Sequence, residues 1–153
     1  MSASPPRLQR LIYRSRQSPE AVADLEFEVG AIVRSSIRNN RLASLSGMLV
    51  TIQGYFVQVL EGAPDRLDET YRRIAGDSRH LDLEIISAEP AEKRLFRDWE
   101  MCARALSPAD EVIVDGLDRR ELFDPARLNA ASTLRLLNAV AQIQRSASLA
   151  RAG

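Results

Sequence analysis

Between Leu8 and Arg14 apolar and polar side chains alternate, with Leu8, Arg10, Ile12 and Arg14 on one side and Gln9, Leu11 and Tyr13 on the other. Together with the β-favouring residues at 11 to 13, this period of two predicts a first strand. The period then lengthens. Ser18 offers an N-cap, Pro19 suits the first helical position, Glu20 places an acid in the first turn, and Val22, Leu25, Val29, Ile32 and Val33 recur at helical spacing. An amphipathic helix ending near Asn39 is expected. Ser46 to Gln53 reads as a second strand, Gln53-Gly54 as a tight turn, and Tyr55 to Gly62 as a third strand, so the pair forms a hairpin.

Pro64-Asp65 opens a second helix with Leu67, Tyr71 and Ile74 on one face and Gly76 at its C-cap. Leu81 to Ala88 is a fourth strand, 89–94 a polar connection, and Leu95 to Ala103 a short fifth strand that carries Trp99 and Met101. The order is βαββαββ. It predicts an α+β, ferredoxin-like mixed sheet with two helices on one face. After Leu106 helix signals take over: Ser107-Pro108 starts a short segment, and Asp124-Pro125 a longer one running to about Ser148. Leu128, Ala131, Leu134, Leu137, Val140 and Ile143 form a stripe along the longer helix. A bare apolar sheet face is costly, so the stripe is expected to cover the sheet's other face; pairing with a second chain is the alternative. The expected organisation is a disordered lead at 1–7, a folded unit at 8–104 and a helical extension at 105–153.

Charge excludes more than it suggests. Twenty-one basic and twenty-one acidic residues cancel with no block of either sign, so no direct nucleic-acid footprint and no membrane-surface patch is indicated. Cys102 is the single cysteine, which rules out an internal disulfide or cysteine-cluster metal site and fits a reducing compartment. His80 is the single histidine, so no multi-histidine metal site forms within one subunit. No apolar run reaches membrane-spanning length, and residues 1–7 lack the apolar core of a signal peptide. A cytoplasmic location is expected.

Catalytic signatures are thin, with no phosphate-binding glycine loop, nucleophile elbow or zinc-protease motif, and an enzyme is not expected. The odd residue is Gln58, an amide in the middle of an apolar strand. Left unpaired in the core it would cost roughly 1 to 3 kcal/mol, so a polar partner must lie against it. The coarse fold brings Tyr13, Asn39, Asn40, Gln58, Arg79 and His80 to the helix-facing side. Singly, each has an ordinary reading: a half-buried strand tyrosine, a helix C-cap, a loop histidine.

Their surroundings give them a shared meaning. Leu11-Ile12-Tyr13-Arg14-Ser15, Arg38-Asn39-Asn40-Arg41 with Leu45-Ser46-Gly47-Met48-Leu49, the strand Gly54 to Gly62, Asp77-Ser78-Arg79-His80 and Phe96-Arg97-Asp98-Trp99-Glu100-Met101 are five blocks in order. Together they resemble the BLUF family, blue-light sensors that use FAD, whose βαββαββ fold matches the order read from periodicity. Two departures stand out: Ser44 where the family often has glycine, and Val50-Thr51 in place of a frequent aromatic.

The resemblance implies a flavin-binding photosensor at 8–104, with the ring between the two helices and walled by Ile32 and Ile74. FAD is the expected cofactor, with FMN or riboflavin able to substitute in a recombinant preparation. Asn40 would bond the pyrimidine edge, assisted by Asn39; Arg79 would contact the other carbonyl, and His80 would pack beside the ring. The photoactive pair falls on Tyr13 and Gln58. The phenol would supply an electron and then a proton, which the glutamine would relay, leaving a rotated or tautomerised amide that bonds the flavin C4 carbonyl more strongly and shifts absorption to the red.

Signal transmission falls on the strand with Trp99 and Met101. About fifty residues follow, too few for a kinase, cyclase or phosphodiesterase domain. The expectation is a stand-alone sensor signalling to an unknown partner protein or through a homo-oligomer interface. Two other readings use the same residues: a flavin-dependent oxidoreductase, and a flavin-free ferredoxin-like interaction module.

Overall fold

The computed structural model describes residues 8–52, 54–96, 102–105 and 129–152, and side chains of all of these except 102–105 and 143–152. The expected Gln53 turn residue, Trp99, Met101, the short segment at Ser107-Pro108 and Leu128 lie outside the described residues, as does the side chain of Ile143.

In chain order the elements are β1 (Gln9–Gln17), α1 (Pro19–Ala23), α2 (Leu25–Ala43), β2 (Ser46–Ile52), β3 (Tyr55–Gly62), α3 (Pro64–Ala75), β4 (His80–Pro90), β5 (Cys102–Ala105) and α4 (Ala130–Ala152). The strands form one sheet in the order β4-β1-β3-β2-β5, with β2 and β5 parallel and every other neighbouring pair antiparallel. This is the ferredoxin-like α+β arrangement expected from the sequence.

Alternation along the strands builds two cores. Leu11, Tyr13, Leu49, Phe56 and Leu60 face α2 and α3, where Ile32 and Leu67 close over them. Ile12, Met48, Val50, Val57 and Val59 face the other way, onto Leu136, Leu137, Val140 and Ala141 of α4 and onto Phe96. β2 is buried along its whole length because both its faces are covered. Of the expected stripe, Leu137 and Val140 are buried against the sheet and Leu134 partly so, whereas Ala131 is exposed and the covering face is completed by Leu136 and Ala141 instead.

Several boundaries differ from those expected. The first helix is broken: Ser18 Oγ accepts from Ala21 N at 3.1 Å, but at Asp24 the backbone leaves the helical region (φ −146°, ψ 68°) and α2 starts afresh. α2 then runs past Asn39 to Ala43, where Ser44 takes φ 56° and its N–H reaches back to Arg41 O and Asn40 O. That left-handed cap explains why glycine suits position 44, and serine there carries some strain. β1 extends to Gln17 because its N–H bonds Gly54 O at 2.8 Å and its amide bonds Tyr55 O at 3.0 Å. β4 takes in Glu89 and Pro90, assigned above to the connection. Residues 95 and 96 are not strand, so the described fifth strand is the short Cys102–Ala105. The expected helix start at Asp124-Pro125 lies outside the described residues; the described helix begins at Ala130, where Asn129 and Ser132 cap it reciprocally, each backbone N–H bonding the other's side-chain oxygen at 2.9 Å.

Candidate functional site

The centre of the sheet sets the site. Antiparallel register puts Tyr13 directly opposite Gln58, both facing the helices. β4 is irregular against β1 on either side of Tyr13, between Ile12 and Tyr13 and again between Arg14 and Arg16, the kind of bulge that re-aims side chains beside a site. Tyr13 is wholly buried and Gln58 nearly so, and the tyrosine hydroxyl donates to Gln58 Oε1. The polar partner demanded by a buried amide is thus Tyr13. Burial pushes the Tyr13 phenol far above its ordinary pKa of 10.0, with smaller contributions from Tyr71 and Asp77, so it stays a neutral donor.

Around this pair lies a cleft between α2 and α3, walled by Ile32, Asn39 and Asn40 from α2 and by Thr70, Arg73 and Ile74 from α3, with Asp77, Arg79 and His80 at its side. All eight residues assigned to the flavin pocket, Tyr13, Ile32, Asn39, Asn40, Gln58, Ile74, Arg79 and His80, line it. The two assigned to signal transmission, Trp99 and Met101, lie outside the described residues. Asn40 is buried in the last turn of α2, and half-buried Asn39 donates to Ser35 Oγ at 3.5 Å.

His80 opens β4. Its Nδ1 and Ser15 Oγ share a hydrogen bond of 2.7 Å, and its ring packs on Phe56 at 4.7 Å between centroids. Burial lowers its pKa to about 4, with Asp77 opposing that shift and Arg79 adding to it, so the imidazole is neutral at pH 7. Arg79 is held by Asp77 Oδ2 at 2.6 Å and by Glu28 Oε2 on α2 at 3.5 Å. Burial lifts the Asp77 carboxyl, but the hydrogen bonds and charge of Arg79 outweigh it and leave the group below 3.8.

Ser15, Asp77 and Glu28 were missed as site residues. Ser15 was detectable, since it lies two residues from Tyr13 on the same strand face; Glu28 was not, being 51 residues from Arg79.

On the opposite face, Glu61 is fully buried. Its carboxylate accepts from Arg10 Nε at 2.9 Å, Leu95 N at 3.0 Å and Phe96 N at 2.7 Å. Arg94 adds bonds to Glu61 O at 2.9 Å, Ser46 Oγ at 2.9 Å and Ser44 O at 2.6 Å. The segment that leads toward β5 is thereby tied to the end of Gln58's own strand. Among the described residues no group of acids, histidine or cysteine could hold a metal, and no helix is long and apolar enough to cross a membrane.

A buried tyrosine–glutamine pair under a cleft between two helices of a ferredoxin-like sheet has the makings of a small-molecule site. The sequence model of the family described as sensors of blue-light using FAD matches residues 8–102, and the chain belongs to that BLUF family as a flavin-binding blue-light sensor. Among curated proteins it is 35% identical over 75 residues to the photoactivated adenylate cyclase subunit beta of Euglena gracilis, covering 48% of this chain and 9% of that one. To the alpha subunit of the same organism it is 27% identical over 95 residues, 62% of this chain and 9% of the relative. The match therefore spans about a tenth of the length of these relatives.

Among solved structures, the dark state of BlrB, a BLUF protein, superposes with a TM-score of 0.70 at 31% identity, covering 89% of this chain and 98% of that one. The photo-activated state of BlsA superposes at 0.75 with 24% identity, over 86% and 92% of the two chains, and shares the fold.

Proposed function

We propose that this chain detects blue light through FAD held between α2 and α3, with Tyr13 and Gln58 as the photoactive pair, and that it has no enzymatic turnover of its own. The observation that carries the reading is the hydrogen bond from the buried Tyr13 hydroxyl to Gln58 Oε1 in the wall of the cleft. The donor set suits a flavin. A primary amide such as Asn40 offers a donor and an acceptor side by side, which matches a ring edge where N–H and carbonyl alternate. Ile32 and Ile74 supply apolar faces, and Arg79 a guanidinium near the polar edge.

When bound, the flavin supplies absorption of blue light and an excited state that takes up an electron. Tyr13 is the donor. A phenol this deeply buried does not ionise by itself, but on losing an electron it becomes strongly acidic, and its hydrogen bond directs the departing proton to Gln58. Gln58 would pass that proton on, and once electron and proton have returned to Tyr13 it would be left with its donor and acceptor groups rearranged. Because the amide has both kinds of group, it can satisfy its surroundings in two arrangements close in energy.

The altered state reaches a partner protein or a second copy of the chain through the segment anchored by Glu61 and through β5, with Trp99 and Met101 as the side chains that read Gln58. The reading takes 8–104 as the sensor, 105–153 as its output extension and the cytoplasm as its setting. Names among its relatives and structural neighbours, such as photoactivated adenylate cyclase and a bacterial light-regulated adenylyl cyclase, support coupling of such domains to signalling outputs.

The test is the absorption spectrum before and after blue light. A yellow protein with a reversible red shift is expected. A yellow protein that does not shift but is bleached by a reduced nicotinamide would make it an oxidoreductase, and a colourless protein that takes up no flavin would remove the cofactor altogether.

A further inference from the structure

A second hollow, of about 390 Å³, lies between α3 and β4, the strand at the rim of the sheet. It shares no lining residue with the cleft beside Gln58. Its size falls within the range of roughly 300 to 1,000 Å³ usual for small-molecule sites. Leu11, Leu67, Ala88 and half-exposed Ile85 give it apolar surfaces. Its two ends differ. Gln9 pairs across the sheet with Gly62, just before α3 begins, and so stands at the same end as Asp65 in the first turn of that helix. Tyr71, further along α3, and Ile85, the β4 partner of Tyr13, mark the other end. The Tyr71 ring stands edge-on to Tyr13, with centroids 5.7 Å apart and planes at 76°.

The Gln9 amide, the Asp65 carboxylate and the Tyr71 hydroxyl have no hydrogen-bond or ion-pair partner among the described residues, whereas Asp68 is held by Arg72 at 3.1 Å. None of the described residues lining the hollow is basic. Two register irregularities against β1, and Pro90 at its end, blunt β4 against pairing with a further strand, whether from a second copy or from another protein. An occupant is therefore held by side chains.

We infer that this hollow is a ligand site for a small amphiphile with a primary ammonium head and an apolar body, the head toward Gln9 and Asp65 and the body toward Ile85 and Tyr71. An ammonium has three donors and no acceptor, which suits a carboxylate that only accepts and an amide oxygen beside it. An anionic head would meet Asp65 and Asp68. The far end of the body would rest on the two neighbours of Tyr13, one side chain away from the Tyr13–Gln58 bond. None of these lining residues belongs to the Gln58 cleft, so the site stands whether or not that cleft holds a flavin.

Calorimetric titration of the full chain with naphthylethylamine, naphthylethanol and naphthylacetate, three probes that share a body and differ in head charge, tests this. At low salt the amine should bind roughly fivefold more tightly than the alcohol, the scale of an exposed charge pair, and the acetate more weakly than either. High salt should shrink the gap. Asp65→Asn keeps the shape of an exposed side chain, so it should bind the alcohol as before and lose most of the preference for the amine. Ala88→Trp puts a strand-favouring bulky ring at an exposed position of the hollow and should weaken all three probes at least tenfold. Failure of the unaltered chain to bind the amine, or equal affinity for amine and acetate, would overturn the inference. So would an amine preference that survives Asp65→Asn, or affinities untouched by Ala88→Trp. A dimer of the unaltered chain that Ala88→Trp splits in size-exclusion chromatography, with no probe bound, would give the hollow to a second copy instead.

Discussion

Gln58 and Tyr13 are bonded to each other at the point where β1 and β3 set them directly opposite. Gln58→Leu keeps the volume and removes both amide groups, so the protein should still bind flavin while its light-induced red shift disappears; a persisting shift would remove Gln58 from the mechanism. Tyr13→Phe should abolish the photocycle and, by leaving Gln58 Oε1 without its donor, cost about 1 to 3 kcal/mol in denaturant unfolding. His80 gives a pH dependence with a defined sign. Its folded pKa is about 4 against an ordinary 6.5, so between those values the unfolded chain binds a proton that the folded chain refuses. Stability should be full above about 6.5 and fall as the pH drops toward 4, by up to about 3 kcal/mol. Asp77, held below 3.8, adds its own loss only at lower pH. Urea unfolding across this window should show the slope, and His80→Gln should flatten it; an identical slope in the variant would assign it elsewhere.

The segment 91–96 has little secondary structure of its own, and Glu61 holds it. Glu61→Ala would strand the N–H groups of Leu95 and Phe96 and the charge of Arg10, a loss of roughly 3 kcal/mol or more with faster hydrogen exchange at residues 95 and 96. Unchanged exchange there would show that other contacts fix the segment. Nothing in the sequence announced this role. Glu61 reads as a polar residue ending a strand, because its partners are 34 and 35 residues away. Element type was legible where periodicity is local: every expected strand and helix among the described residues exists. Boundaries failed where tertiary bonds decide them, as at Gln17, which the hairpin turn recruits into β1, and at Asp24, where the backbone breaks a helix that the apolar spacing carries straight through. The site was legible only in part. Strand alternation put Tyr13 and Gln58 on one face, but their direct opposition is a matter of register between strands 45 residues apart.

At the scale of the molecule, α4 makes the sheet a buried layer. Leu136 and Leu137 are completely shielded against Ile12, Met48, Val50 and Val59. Leu137→Ala should cost about 2 to 5 kcal/mol, read from the denaturation midpoint; a cost under about 1 kcal/mol would mean that α4 rides loosely on the sheet. The register across that layer has a geometric consequence. Ile85, Tyr13, Gln58, Leu49 and Ala103 are successive cross-strand partners, forming one rung from β4 to β5. Strands lie about 4.8 Å apart, so Gln58 is roughly 10 Å from either rim of the sheet along this rung. Gln58 is thus equidistant from both rims of the sheet, half-exposed Ile85 marking one and β5 the other, and the proposed rearrangement of its amide would have a backbone path of equal length to each.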